Sequence, residues 1–318
     1  MRVRLFYHDR CFDGAATAAV FMEFFRHIYD PGAVFVCTGL AHKASQLFDE
    51  RQFDGDENVI VDFKYSSSPR ITWWFDHHQS AFLSPEDAEH FRRDSGGKKF
   101  YDPSFRSCTK FVATVLREKF GFERPDLEEL IRWADIIDGA QYPDAKTAVE
   151  IGAPAMKLTL VIEGAGDEVS SKMIHWMARR RLEDIAREPQ VEALFAPLYQ
   201  RHLESIELIR QRAQYNRGVV FFDLAGCEHE GYNKFIPYYL FPESVYTVSV
   251  TTPSFRTKVS VGSNPWAPRE PRLNLATICE RYGGGGHARV GAISFEPGEL
   301  ERARTAAAEI VEELGKDA

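Results

Sequence analysis

The sequence predicts an α/β protein with a parallel-sheet domain, a helical connector and a smaller α/β domain. Three observations carry that expectation. Short apolar runs alternate with helical patterns through the first half. A charged, helix-like stretch without strand signals follows from about Val169 to Arg217. Strand-like runs then return beyond Gly218. Strand–helix alternation with apolar strands is the pattern of a parallel sheet covered on both faces. At 318 residues the chain is long enough for two separate cores. The expected divisions are 1–168, 169–217 and 218–318.

The elements follow in order. Val3 to Tyr7 reads as a strand, and Asp13 to His27 as a helix rich in Ala and Phe. Ala33 to Cys37 is a second strand, followed by a short helix near Ser45 to Phe48. Val59 to Val61 is a third strand, ending at Asp62. Ile71 to Phe75 is a fourth, ending at Asp76, and Phe100-Tyr101 belongs to a fifth. Helices are expected near Cys108 to Phe120 and Asp126 to Ile137. In the connector, Pro189 separates two helices, and Asn216-Arg217-Gly218 ends the second. The last domain offers strands at Val219 to Leu224, Val245 to Thr251, Thr257 to Val261 and Val290 to Phe295. Helices are expected near Leu273 to Tyr282 and from Pro297 to about Leu314.

Composition narrows the function classes. Apolar residues make up 44% and charged residues 27%, as in ordinary soluble proteins. No apolar window approaches the length of a membrane span, and the N-terminus lacks the features of a signal peptide. Five scattered cysteines without a CxxC pair fit a reducing compartment, so a cytoplasmic protein is expected. A net charge of −8 argues against stable binding to duplex DNA, which needs many phosphate contacts from a basic face. A small anionic substrate is still allowed, because a metal reverses the potential inside a cleft. A homodimer is compatible with everything read here.

Potential metal ligands gather at strand ends. The first strand offers His8, with Asp9 and Asp13 close behind, the third offers Asp62, and the fourth runs into Asp76-His77-His78. Parallel strands bring such ends to one edge of the sheet. Asp135 or Asp138, at the end of the helix around Trp133, adds a further carboxylate; Asp138, before Gly139, is the favoured one. Carboxylates packed together repel unless a cation sits among them. Asp oxygens mixed with His nitrogens suit Mn²⁺, Co²⁺ or Fe²⁺, and Mg²⁺ where oxygens dominate. Two ions about 3.5–4 Å apart would suit hydrolysis of a phosphate ester.

In the last domain, Gly283-Gly284-Gly285-Gly286-His287 stands between a helix and a strand. Glycines in such a run contribute no packing, so a backbone brought close to an anionic ligand is the reading preferred over a plain turn. Arg256 to Asn264 alternates apolar with cationic or hydroxyl side chains, either as a solvated strand face or as a phosphate-binding one.

Together these residues resemble the DHH/DHHA1 phosphoesterases, the superfamily of RecJ-like nucleases and nano-RNase oligoribonucleases. Tyr7-His8-Asp9-Arg10-Cys11-Phe12-Asp13-Gly14 is similar to the family's first motif, Val61-Asp62 to its second and Asp76-His77-His78 to its third. The Asp135 to Asp138 stretch resembles the fourth, and Gly283 to His287 the GGGH-type signature of the DHHA1 domain. The resemblance implies a five-stranded parallel DHH domain, a helical connector and a DHHA1 domain closing the cleft. It also implies one or two divalent ions, usually Mn²⁺. His8 and Asp62 would serve one ion. Asp13, Asp62, His77 and the fourth-motif Asp would serve the other. His78 would contact the scissile phosphate, with Asp76 orienting the site. His287 and Arg256, with Gly284, Gly285 and Gly286, would bind substrate.

Cys11 stands where the family usually has an Asp. A thiolate there suits Fe²⁺, Co²⁺ or Zn²⁺, whereas a neutral thiol leaves that ion weakly held. The activity implied is hydrolysis of phosphodiester or phosphomonoester bonds in short oligonucleotides or (di)nucleotides by a metal-activated water. An exopolyphosphatase or pyrophosphatase is the alternative within enzymes. A nucleotide-binding protein with a degenerate active site is the alternative outside them, and Cys11 is the feature that permits it.

Overall fold

Strand β1, Arg2–His8, sets the frame of the first half. Its Val3, Leu5 and Tyr7 enter one buried cluster and its Phe6 another, the period-two alternation of a strand covered on both faces. Strands β3 (Glu57–Val61) and β4 (Trp73–Asp76) repeat the pattern. Val59, Val61, Trp73 and Phe75 face the first cluster, while Ile60 and Trp74 face the second. With β2 (Val34–Leu40) and β5 (Lys99–Tyr101) they form a sheet in the order β2-β1-β3-β4-β5, every pair parallel. The coordinates are a computed structural model that describes residues 1–41, 48–164, 167–227 and 231–318. The short helix expected near Ser45 falls outside the described residues.

Helix α1, Phe12–Ile28, is buried at every position from Phe12 to Phe25. A helix apolar on all sides belongs in an interior. One side lies on the sheet, while α3 (Cys108–Phe120), α4 (Glu128–Asp138) and α7 (Asp167–Met177) pack around the rest. Glu23, buried in this helix, is matched by the guanidinium groups of Arg179 at 3.2 Å, Arg124 at 3.3 Å and Arg26 at 3.5 Å. The opposite face of the sheet is covered by Phe53, Phe63, Tyr65 and Ala81, with Phe91 of α2 (Pro85–Arg93) beside them.

The chain divides into two compact units, Met1–Tyr142 with Gly152–Leu198, and Pro143–Ile151 with Tyr199–Ala318. Two helices near the first division had no counterpart in the sequence reading: α5 (Ala145–Glu150) and α6 (Pro154–Gly164). The signal for α5 was present, since Asp144 caps it by accepting the Thr147 amide at 2.7 Å. Where two connector helices were expected there are three: α7, α8 (Leu182–Ala186) and α9 (Pro189–Arg212). The Trp176 carbonyl accepts from both Arg179 and Arg180, which turns the chain out of α7 before α8 begins.

The second unit holds a sheet in the order β10-β11-β9-β8-β7-β6. Its strands are β6 (Gln214–Asn216), β7 (Val219–Asp223), β8 (Tyr246–Thr251), β9 (Thr257–Ser263), β10 (Gly285–His287) and β11 (Val290–Phe295). Only β7 and β8 pair in parallel among them. Helix α10 (Ile236–Leu240) packs with α5, and α11 (Leu275–Glu280) lies against β10 and β11. Helix α12 (Leu300–Asp317) closes one face of the sheet with Ala303, Ala307, Ile310 and Leu314. No helix among the described residues is long and apolar enough to cross a membrane.

Candidate metal centre

The strand order β2-β1-β3-β4-β5 reverses direction at β1, so a crevice opens beyond the carboxyl ends of β1 and β3. Tyr7 is in register with Val61, and Val61 with Phe75. The next residue on each strand is therefore His8, Asp62 and Asp76, and the three stand in a row at that edge. Asp62 takes φ 55, a left-handed backbone that a non-glycine residue adopts at a cost.

The side chains converge on Asp62. The Nε2 atom of His77 lies 3.4 Å from one Asp62 oxygen, 3.5 Å from Asp138 and 3.9 Å from Asp13. The Nδ1 atom of His8 lies 3.5 Å from the other Asp62 oxygen. Three groups of potential ligand atoms result, each within 4.8 Å: His8–Cys11–Asp62, Asp62–His77–His78 and Asp13–His77–Asp138. Asp62 and His77 each belong to two of them. The sequence-predicted residues of all four motifs thus meet in one place.

Surrounding groups hold these side chains in orientation. Asp13 accepts the backbone amides of Cys108 at 2.6 Å and Thr109 at 3.0 Å, so the N-terminus of α3 fixes and partly neutralises it. The Phe105 carbonyl lies 3.0 Å from His77 Nδ1, which makes Nδ1 the donor and leaves the Nε2 lone pair facing the carboxylates. Asp76 Oδ1 accepts the amides of His77 at 2.8 Å and His78 at 3.2 Å, and His78 Nδ1–H at 2.7 Å. With Nδ1 engaged by Asp76, the Nε2 atom of His78 stands outside that hydrogen bond. In the sequence Cys108 marks only a helix start, and neither Thr109 nor Phe105 stands out. The run Ser107-Cys108-Thr109 signals a helix start, but nothing in it points to Asp13.

The electrostatics show what so close a grouping does to each side chain. Burial pushes the Asp13 carboxyl far above its usual range, and the charges of Asp62 and Asp138 add to the effect. Asp138 is raised to about 6, first by burial and then by Asp62. His77 moves the other way. Burial disfavours its charge, yet Asp62, Asp13 and the Phe105 carbonyl bring it to about 10. Burial also opposes ionisation of Asp62, but the imidazoles of His77 and His8 outweigh it and its carboxyl stays below the ordinary value. Carboxylates in this arrangement either share a proton or take up a cation.

A divalent ion fits the donor set. Both oxygens of Asp62, 1% exposed, and His77 Nε2 are buried and take no hydrogen bond. Buried polar atoms without partners are rare, and here they face one another across the space a cation would fill. Cys11 lies within this set, at the N-cap of α1. Burial, then Asp62, Asp13 and Asp138, push its thiol far up. Asp135 is not brought to the cluster; its carboxylate accepts from Ser107 Oγ at 3.3 Å. Asp9 also lies apart, accepting the Arg10 amide at 2.8 Å.

In the second unit the glycine run is partly an edge strand, since Gly285–His287 pairs with Val290–Ala292. Two of its glycines have a packing reason. A Cβ on Gly284 would sit 2.3 Å from the Ala292 carbonyl oxygen, and one on Gly286 2.2 Å from that of Val290. Gly285 has open space on that side. Gly284→Ala and Gly286→Ala are therefore expected to destabilise the protein by about 1–3 kcal/mol in urea unfolding. Gly285→Ala should stay within about 0.5 kcal/mol of wild type. An equal loss at all three positions would refute this division. His287 is exposed on β10, and Arg256 Nη1 donates to Ser294 Oγ at 3.0 Å.

Comparison with known proteins rests on structure, since no family model and no curated protein matches the chain by sequence. A pGpG-specific phosphodiesterase, PggH from Vibrio cholerae, superposes with a TM-score of 0.72 over 100% of both chains at 17% identity. The DHH domain of a protein described as belonging to a family of ribosomal proteins gives 0.57 at 15% identity, covering 98% of this chain and 86% of its own. RecJ from Thermus thermophilus in complex with Mn²⁺ gives 0.55 at 12% identity, covering 98% of this chain but 52% of RecJ. The motif order in the sequence and the row of ligands along the sheet agree with these likenesses: from end to end, this chain has the fold of the DHH-domain proteins.

Proposed function

We propose that this protein is a metal-dependent phosphoesterase that hydrolyses phosphodiester or phosphomonoester bonds of short oligonucleotides or (di)nucleotides. The observation that carries the reading is Asp62. A carboxylate is buried there with no hydrogen-bond donor, between two imidazoles, at the crevice where this sheet topology binds ligands. His8, Cys11 and Asp62 would hold one divalent ion, and Asp13, Asp62, His77 and Asp138 a second, with Mn²⁺ the first choice for the second set. When bound, such ions polarise phosphoryl oxygens and supply a nucleophilic water at neutral pH.

The chain's own residues do the rest. His78 presents Nε2 to a phosphoryl oxygen and carries its proton at Nδ1 to Asp76. Burial works against its charge, but the Asp76 hydrogen bond and the charge of Asp62 outweigh that, so its pKa lies above the ordinary value. A cationic donor there stabilises charge as it grows on the phosphoryl group. In the second unit, Arg256, His287 and Gly284 to Gly286 are the proposed substrate-binding residues. Arg256 supports this role, because its Nε is buried without a hydrogen-bond partner. We infer a reducing, cytoplasmic setting from the five free cysteines.

A short substrate is supported by the acidic net charge of −8 and by the full-length likeness to a protein described as pGpG-specific. The test is a panel with Mn²⁺: pGpG, oligonucleotides of rising length, phosphoadenosine phosphate and tripolyphosphate. Turnover of dinucleotides, falling as the chain lengthens, is expected. Turnover of tripolyphosphate alone would transfer the protein to the polyphosphatases. Nucleotide binding with no turnover in any metal would make it a binding module.

A further inference from the structure

The two halves of the cluster are chemically unlike. Asp13, His77 and Asp138 offer oxygens and one nitrogen, whereas His8, Cys11 and Asp62 offer a nitrogen, a sulfur and an oxygen. Cys11 is the N-cap of α1, a position that favours Ser, Thr, Asp or Asn, and a thiol is a weaker acceptor than these for the amides of the first turn. Helix capping therefore does not explain a cysteine here. Packing explains little of it, since Cys11 is part-exposed as a residue and belongs to neither of the two apolar clusters that flank the parallel sheet. What does surround it is ligand chemistry. The neighbouring Asp62 is 1% exposed, with both oxygens lacking hydrogen-bond donors. The other cysteine near the site, Cys108, belongs to none of the groups of potential ligands found among the described residues, and its thiol donates to the Phe75 carbonyl at 3.7 Å.

Resting on the metal-centre reading above, we propose that Cys11 is a thiolate ligand and that the His8–Cys11–Asp62 half selects a thiophilic divalent ion, Zn²⁺, Co²⁺ or Fe²⁺. The other half keeps the preference of an oxygen-rich site for Mn²⁺ or Mg²⁺. The centre is thereby built for two different metals. Thiolate and imidazole ligands favour the later first-row ions, and Mg²⁺ binds sulfur poorly. On binding, the Cys11 S–H bond is replaced by a sulfur–metal bond, and the proton passes to solvent. The N-terminus of α1 favours the anionic sulfur that results.

The experiment loads the full-length, reduced protein with Co²⁺ and records its absorption and its metal content. Wild type should show a thiolate-to-cobalt charge-transfer band in the near ultraviolet. Cys11→Asp and Cys11→Ser should lose it while remaining folded by circular dichroism, and Cys108→Ala should keep it. In competition, Cys11→Asp should lose about tenfold or more in preference for Zn²⁺ over Mn²⁺. Cobalt bound without the band in wild type, or a band that survives both Cys11 variants, overturns the thiolate assignment alone. No cobalt, zinc or manganese retained by wild type overturns the metal centre, and the assignment with it.

Discussion

Asp62→Asn should abolish turnover and the response to metal while leaving the protein folded. Asparagine is the substitution that isolates the charge, because it tolerates the left-handed backbone at φ 55 and matches aspartate in shape. Alanine would add backbone strain to the loss. The variant loses the attraction between the Asp62 charge and the imidazoles of His77 and His8. It also relieves the repulsion that Asp62 exerts on Asp13 and Asp138.

The contrast appears on adding Mn²⁺. A ligand at 100 times its dissociation constant raises stability by about 2.7 kcal/mol, which thermal unfolding resolves readily. Wild type should show that rise; Asp62→Asn should show little of it. Turnover of the best short substrate should fall by about 10³-fold or more, since the residue belongs to two of the three groups of potential ligands. His77→Ala should behave alike in turnover. A variant of Asp62 that keeps near-normal activity and metal-dependent stabilisation would show that the catalytic centre lies elsewhere.

Much of the fold was legible because its signals are local. The β4 run before Asp76 and the alternation in β1 and β3 are apolar enough to read directly, and the parallel arrangement followed from the helical patterns between them. The residues that meet in the centre could also be read, because each sits where a strand or helix ends. What could not be read depends on contacts distant in sequence. Asp13 is held by amides 95 and 96 positions away, and nothing near Cys108 announces that. Asp135 and Asp138 differ by less than one helical turn, so only the packing of α4 shows that Asp138 faces His77. The glycine run misled in part for the same reason. Two of its glycines answer to the close approach of β11, a demand invisible until the strands pair.

Asp76→Asn separates positioning from ligation. Asp76 is fully buried, and its Oδ1 accepts three donors, two of them backbone amides that shape the turn carrying both histidines. Asparagine keeps an acceptor for those amides but removes the negative charge beside His78. The metal groups lie on other atoms, so Mn²⁺ affinity should change less than tenfold, within the range of an outer-shell contact. Turnover should suffer far more. Without its anionic partner His78 loses both a fixed ring orientation and part of what raises its pKa. A comparable loss of an orienting carboxylate beside a catalytic imidazole costs about 10⁴ in kcat; about 10² to 10⁴ is expected here, in kcat more than in KM. The pH profile gives the sign. If the protonated imidazole serves the reaction, activity falls as pH rises through the His78 pKa, and removing a raising influence moves that fall to lower pH in the variant. A profile unchanged on its alkaline side, with kcat lowered only through lost metal, would reduce Asp76 to a support for His77 and take His78 out of the chemistry.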